Sequence, residues 1–139
     1  STLDAREISS LGLSFGAILA DVPCTGLGAL RRRPEVRWRR SIADLKSLVV
    51  LQSEIIDSAI DALSPGGIFG YATCSPHLSE SRIAVSEALK RHPEMEHIDI
   101  TELVHPDLRL SAIDRGNLTL WTHRHNTDAM FLSIMRKKI

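Results

Sequence analysis

The chain has 139 residues, 43% of them hydrophobic and 24% charged, with 17 basic side chains against 17 acidic ones and only two cysteines. That length fits one domain able to bury roughly two thirds of the surface its unfolded form exposes, and zero net charge excludes a global field drawing it to nucleic acid. No apolar stretch approaches the ~20 residues of a membrane span, no basic-then-apolar leader opens the sequence, and two cysteines make no disulfide framework, so the reading is a reducing cytoplasm.

The first recognisable element is "FGAILA" at 15–20, a continuous apolar run that predicts a strand buried on both faces of a parallel sheet. It ends in Asp21 and runs into "VPCTGLGAL" and then "RRRPEVRWRR" at 31–40, where six arginines face one glutamate. The local charge there is about +5. From Ser41, a plausible N-cap, Leu45, Leu48, Val49, Gln52, Ile56, Ala59, Ile60 and Leu63 recur at three- and four-residue steps. All but Gln52 are apolar, and the pattern predicts an amphipathic helix. "SPGG" at 64–67 stops it as a helix-to-strand turn. "IFGYATC" at 68–74 reads as a second buried strand, 79–91 as a second helix and 95–100 as a short strand. Residues 101–116 read as loop, 117–121 as a brief strand and 129–137 as a terminal one.

Strand and helix in alternation predict an α/β fold with a mainly parallel sheet, right-handed crossovers and flanking helices. Chemistry in such sheets gathers at the carboxyl ends of strands. Cys24 and Cys74 both fall there, with Asp21 and Tyr71 at or near the same rim. Burial statistics alone leave each cysteine as readily an inert core residue as a reactive one. Two cysteines and "HRH" at 123–125 supply no zinc ligand set, so no metal is expected. "TGLGAL" is not a dinucleotide fingerprint, since Arg31 stands where the third glycine belongs.

Taken together, "DVPCTGLG", "LRRRPEVRW", "LSPGG" and "YATCSP" resemble the RNA (cytosine-5) methyltransferases of the Sun/Fmu (RsmB-like) type. In that family the first stretch is usually Asp-Ala-Pro-Cys-Ser-Gly-x-Gly and the second Tyr-Ser-Thr-Cys-Ser, so Val22, Thr25 and Ala72 depart mildly. The closing "LWTHRHNTDAMFLSIMRK" resembles a stretch usually written Pro-x-x-x-x-x-Asp-Gly-Phe-Phe, with Thr122 near the usual proline and Ala129-Met130 in place of Gly-Phe. The resemblance runs from about Phe15 to Lys138.

The resemblance implies a Rossmann-like fold dependent on S-adenosylmethionine, and methylation of C5 of cytosine in RNA, ribosomal RNA foremost. Cys74 is then the nucleophile adding to C6, chemistry that suits a thiolate because it both attacks and leaves. Cys24 assists release of the product. Asp21 lies beside the N3/N4 edge of the base; Asp21 and Pro23 also border the cofactor. Arg31, Arg32, Arg33, Arg37 and Trp38 are the expected RNA contacts, since guanidinium groups suit phosphates and an aromatic ring can stack on a base. The family's Gly-rich cofactor loop has no counterpart here, so the chain reads as the C-terminal part of a catalytic domain, inactive alone. The alternative is a non-catalytic RNA-binding remnant, which would keep the arginines and need no cysteines. With its partner strand absent, "FGAILADV" would present an open edge and favour self-association.

Overall fold

A computed structural model describes residues 2–139 as a mixed α/β structure built on one six-stranded sheet. The strands are β1 (Phe15–Asp21), β2 (Leu63–Thr73), β3 (Met95–Ile98), β4 (Ile113–Asp114), β5 (Asn117–Leu120) and β6 (Met130–Lys137). The helices are α1 (Val36–Arg39), α2 (Ile42–Asp61), α3 (Arg82–Arg91), α4 (Pro106–Ala112) and α5 (Thr122–His125). No helix among the described residues is long and apolar enough to cross a membrane.

α2 starts where Ser41 predicts. The Ser41 hydroxyl accepts from the Asp44 N–H at 3.2 Å, and the Asp44 carboxylate accepts from the Ser41 N–H at 2.8 Å, a reciprocal capping box. Its inner face buries Ile55, Ile56, Ala59 and Ile60 against Phe69 and Tyr71 of β2, Phe131 and Met135 of β6, and Val85 and Ala88 of α3. The helix ends at Asp61, but "SPGG" is not a free turn: it lies inside β2, as a bulge against β1. Gly66 sits there at φ +76°, and a Cβ on Gly67 would lie 2.8 Å from the Ser64 carbonyl oxygen.

Only β1 and β2 make a parallel ladder; the ladders to β6 are antiparallel. β6 lies between β2 on one edge and β3 and β5 on the other, which share it end to end. β1, β2 and β3 therefore run one way, as a parallel reading requires, with a reversed strand inserted among them. The loop expected over 101–116 contains α4 and β4. Pro106 opens that helix, and the His105 ring accepts from the Asp107 N–H at 3.4 Å. Its apolar face is too short to register as a period, and Leu110 is fully exposed.

β1 is not buried on both faces as its sequence predicts. Leu19 is 71% exposed, while Phe69 and Tyr71 in β2 are 0% exposed. α2 covers the side of β1 bearing Ile18 and Ala20, and nothing in the described residues pairs with its second edge.

Candidate active site at the thiol pair

Parallel pairing sets Asp21 opposite Ala72, so both strands deliver their following loops to one rim. The two cysteines meet there, with Sγ atoms 3.2 Å apart. Both are free thiols; Cys24 is buried and Cys74 half-buried. Burial, followed by the hydrogen bond and charge of Cys24 and then the charge of Asp21, pushes the Cys74 thiol up to about 12. Two sulfurs this close resist both becoming anions.

The first loop is locked onto the second through Gly28. Its N–H donates to the Cys74 carbonyl at 2.9 Å, and its own carbonyl accepts from the Ala129 N–H at 3.0 Å. A Cβ on Gly28 would stand 2.2 Å from the Ala129 oxygen and 2.5 Å from the Cys74 oxygen, so only glycine fits.

Beneath the thiols lies a polar cluster that the sequence reading does not assemble. The buried Glu80 carboxylate accepts from the Thr25 N–H at 2.8 Å, the Thr25 hydroxyl and the Ser75 hydroxyl at 2.5 Å each, and the Gln52 amide at 3.1 Å. Gln52 also donates to the Pro23 carbonyl at 2.9 Å. Tyr71, one residue short of the rim in β2, is fully buried, and its hydroxyl donates to the Glu80 carbonyl at 2.7 Å. Gln52 carried a signal, as the single polar residue on an otherwise apolar helix face. Glu80 carried none, because its partners lie elsewhere in the chain.

Asp21, Pro23, Cys24, Thr25, Arg32, Arg33, Arg40 and Cys74 border one cleft of about 540 Å³. Asp21 and Pro23 also border a neighbouring hollow of about 220 Å³, lined by Ile8, Ile18, Ala20 and Ile55. A larger hollow of about 580 Å³ lies across α3 and β3 among Arg82, Val85, Leu89, His97 and Arg115, and holds none of the expected site residues.

The arginine segment is divided by what it touches. Arg31 donates to Asn126 at 2.8 Å, and Arg32 grips Asp128 with two nitrogens, which holds that carboxylate below its usual range. These two arginines clamp the loop before β6. Arg33, Arg37 and Trp38 are exposed, Trp38 at 81%, with the Arg37 guanidinium 5.4 Å from its ring centre. No group of three or more metal-ligating side chains is found among the described residues.

A family described as 16S rRNA methyltransferase RsmB/F matches residues 1–136 of the chain. The putative methyltransferase Rv1407 of Mycobacterium tuberculosis is 48% identical over 136 residues, covering 97% of this chain and 29% of that protein. Ribosomal RNA small subunit methyltransferase B of Erwinia tasmaniensis is 35% identical over 96 residues, covering 69% of this chain and 22% of its own length. The crystal structure of NSun6 from Pyrococcus horikoshii with SFG superposes with a TM-score of 0.80 at 25% identity, over 99% of this chain and 34% of that one. The chain thus spans under a third of the length of these curated relatives, and its architecture is that of the Rossmann-like methyltransferases.

Proposed function

The chain belongs to the RsmB/F methyltransferase family, and we propose that it forms the C-terminal part of a catalytic domain that methylates C5 of cytosine in RNA, ribosomal RNA being the substrate class. The observation that carries this reading is the 3.2 Å separation of Cys24 and Cys74 at the ends of two parallel strands. The family resemblance assigns two thiols to one base, and a cleft of about 540 Å³ bordered by both suits a nucleobase.

In this mechanism Cys74 adds to C6, and the electron pair of the C5–C6 double bond shifts to make C5 nucleophilic. S-adenosylmethionine supplies an electrophilic methyl group when bound. Asp21 and Pro23 would hold it from the ridge between the two hollows, a carboxylate complementing a cation and a proline giving a stiff apolar wall. Asp21 also faces the base and offsets charge on its N3/N4 edge. Once C5 carries the methyl, its proton leaves to a base, the C5–C6 double bond re-forms and the Cys74 sulfur departs. Cys24 assists that departure from 3.2 Å away. With its thiol pushed up to about 12 by burial and by its neighbour, Cys74 holds its proton at neutral pH and gives it up as the sulfur adds to C6. Arg33, Arg37 and Trp38 offer the exposed phosphate and stacking contacts. Reduced thiols of this kind belong in the cytoplasm.

The deciding experiment uses the longer polypeptide that contains this chain, with RNA carrying 5-fluorocytosine. Fluorine cannot leave C5 as a proton does, so the adduct persists. Cys74→Ala should form none, and Cys24→Ala should accumulate adduct even on ordinary cytosine. Trapping by Cys74→Ala but not by Cys24→Ala would reverse the roles. RNA binding without any adduct in the unsubstituted protein would leave only an RNA-binding remnant.

A further inference from the structure

We propose that Glu80 is a positioning residue that sets the spacing of the two thiols. Thr25 directly follows Cys24, and Ser75 directly follows Cys74. One carboxylate holds both: its Oε2 accepts from the Thr25 and Ser75 hydroxyls at 2.5 Å each, and its Oε1 accepts from the Thr25 N–H at 2.8 Å. The two loops lie 50 residues apart in the chain and carry no covalent tie.

The chemistry of this link is unusual for one that merely fills space. Glu80 is 0% exposed and, among the described residues, is paired with no arginine or lysine. Burying a carboxylate costs several kcal/mol unless its lone pairs are met, and apolar packing of equal volume holds a fold as well or better. Here four donors meet it, the fourth being Gln52 at 3.1 Å, itself braced on the carbonyl of Pro23 just before Cys24. Tyr71 fixes the Glu80 backbone at 2.7 Å. The resulting frame reaches the residues on either side of Cys24 and the one after Cys74, while touching neither sulfur. Glu80 therefore acts through geometry. A misplacement of ~1 Å between reacting groups costs about a hundredfold in rate.

The proposal rests on the reading of Cys74 and Cys24 as the working thiols, and its test needs neither RNA nor cofactor. Reduced chain is treated with diamide, which takes two electrons and two protons as the disulfide closes, and loss of free thiol is timed. Closing from 3.2 Å to a bond of about 2.05 Å is sensitive to alignment. Glu80→Gln keeps the volume, but its NH2 must face either two hydroxyls or two N–H donors. We expect it to fold and to close the disulfide about tenfold more slowly. Ser58→Ala, which removes a buried α2 hydroxyl bonded to Ser9 and not to the thiol loops, should leave the rate unchanged. Closure of Glu80→Gln at the unsubstituted rate overturns the proposal. Should that variant fail to fold, Thr25→Val with Ser75→Ala removes two of the four donors, and an unchanged rate there overturns it equally. In the longer polypeptide, Glu80→Gln should slow adduct formation on 5-fluorocytosine RNA without weakening RNA affinity. Absence of any adduct with the unsubstituted protein would sink the reading of the thiols while leaving the diamide result standing.

Discussion

β1 and β2 begin as near-equals in sequence, each an apolar run ending at a cysteine-bearing loop, yet they live in different solvents. β2 lies between β1 and β6 and buries Phe69 and Tyr71 completely beneath α2. β1 has one neighbour, one covered face and Leu19 71% exposed. Burial is a property of neighbours, not of the run itself. The contrast can be broken at its strongest point first. Phe69→Ala should cost about 3–5 kcal/mol, the usual result of emptying a packed aromatic site, whereas Leu19→Ala should stay within about 0.5 kcal/mol. Urea unfolding of this chain measures both. Comparable losses at the two sites would mean that β1 is covered in solution by a second copy. That is the self-association its open edge and apolar face favour. Sedimentation should then show species larger than a monomer, reduced by Leu19→Lys.

Tyr71→Phe is the next step down. It deletes the donor to the Glu80 carbonyl at 2.7 Å and to the Gln52 amide oxygen at 3.3 Å. Leaving buried acceptors unmet costs about 1–3 kcal/mol. A loss below about 0.5 kcal/mol would mean that water reaches the cluster and that β2 is less sealed than its burial indicates.

The cysteines at the two strand ends separate by pH. Cys74 has an ordinary value of 9.0 and is pushed up to about 12 in the folded chain. The folded state thus holds this proton more tightly than the unfolded one. The associated stability is complete below pH 9 and is lost as pH rises toward 12. Cys74→Ser should flatten the alkaline fall in stability. Cys24→Ala removes a hydrogen bond and a neighbouring charge that raise Cys74, so iodoacetamide should alkylate Cys74 at lower pH in that variant. An unmoved alkylation profile would show that burial and the charge of Asp21 set the shift without Cys24.

The parts of this molecule legible in sequence are those decided by near neighbours in the chain. Ser41 and the spacing of Ile56, Ala59 and Ile60 predict α2, and the apolar runs with their terminal Cys24 and Cys74 predict two strands and a shared rim. Apolar periodicity carries no strand direction, so the antiparallel insertion of β6 between β2 and β3 is invisible to it. It carries no count of neighbours either, so it assigns β1 a second buried face. Gln52 looks like a flaw in an apolar stripe until Glu80 appears 28 residues later. Glu80 itself reads as a common acid near the start of a helix. Its meaning depends on Thr25, 55 residues before it, and that pairing exists only in the fold.

The smallest expected effect on stability lies in the arginine segment that continues from β1, where the comparison extends from strand to loop. Arg31 and Arg32 are engaged with Asn126 and Asp128, so their charge is partly spent inside the chain. Arg33 and Arg37 have no side-chain hydrogen bond or ion pair among the described residues and stand exposed beside Trp38. If the exposed pair contacts phosphates, each lost contact flattens the salt dependence of RNA binding by roughly 0.7–0.9 in log–log slope. Arg33→Ala with Arg37→Ala should therefore lower the slope by about 1.4–1.8 and leave the unfolding midpoint in place. Arg32→Ala should do less to the slope, because its guanidinium is held by Asp128, and should shift the loop before β6 instead. Filter binding across a salt series distinguishes them. A slope unchanged by the double substitution would make the segment a solvated face and confine RNA recognition to the thiol cleft.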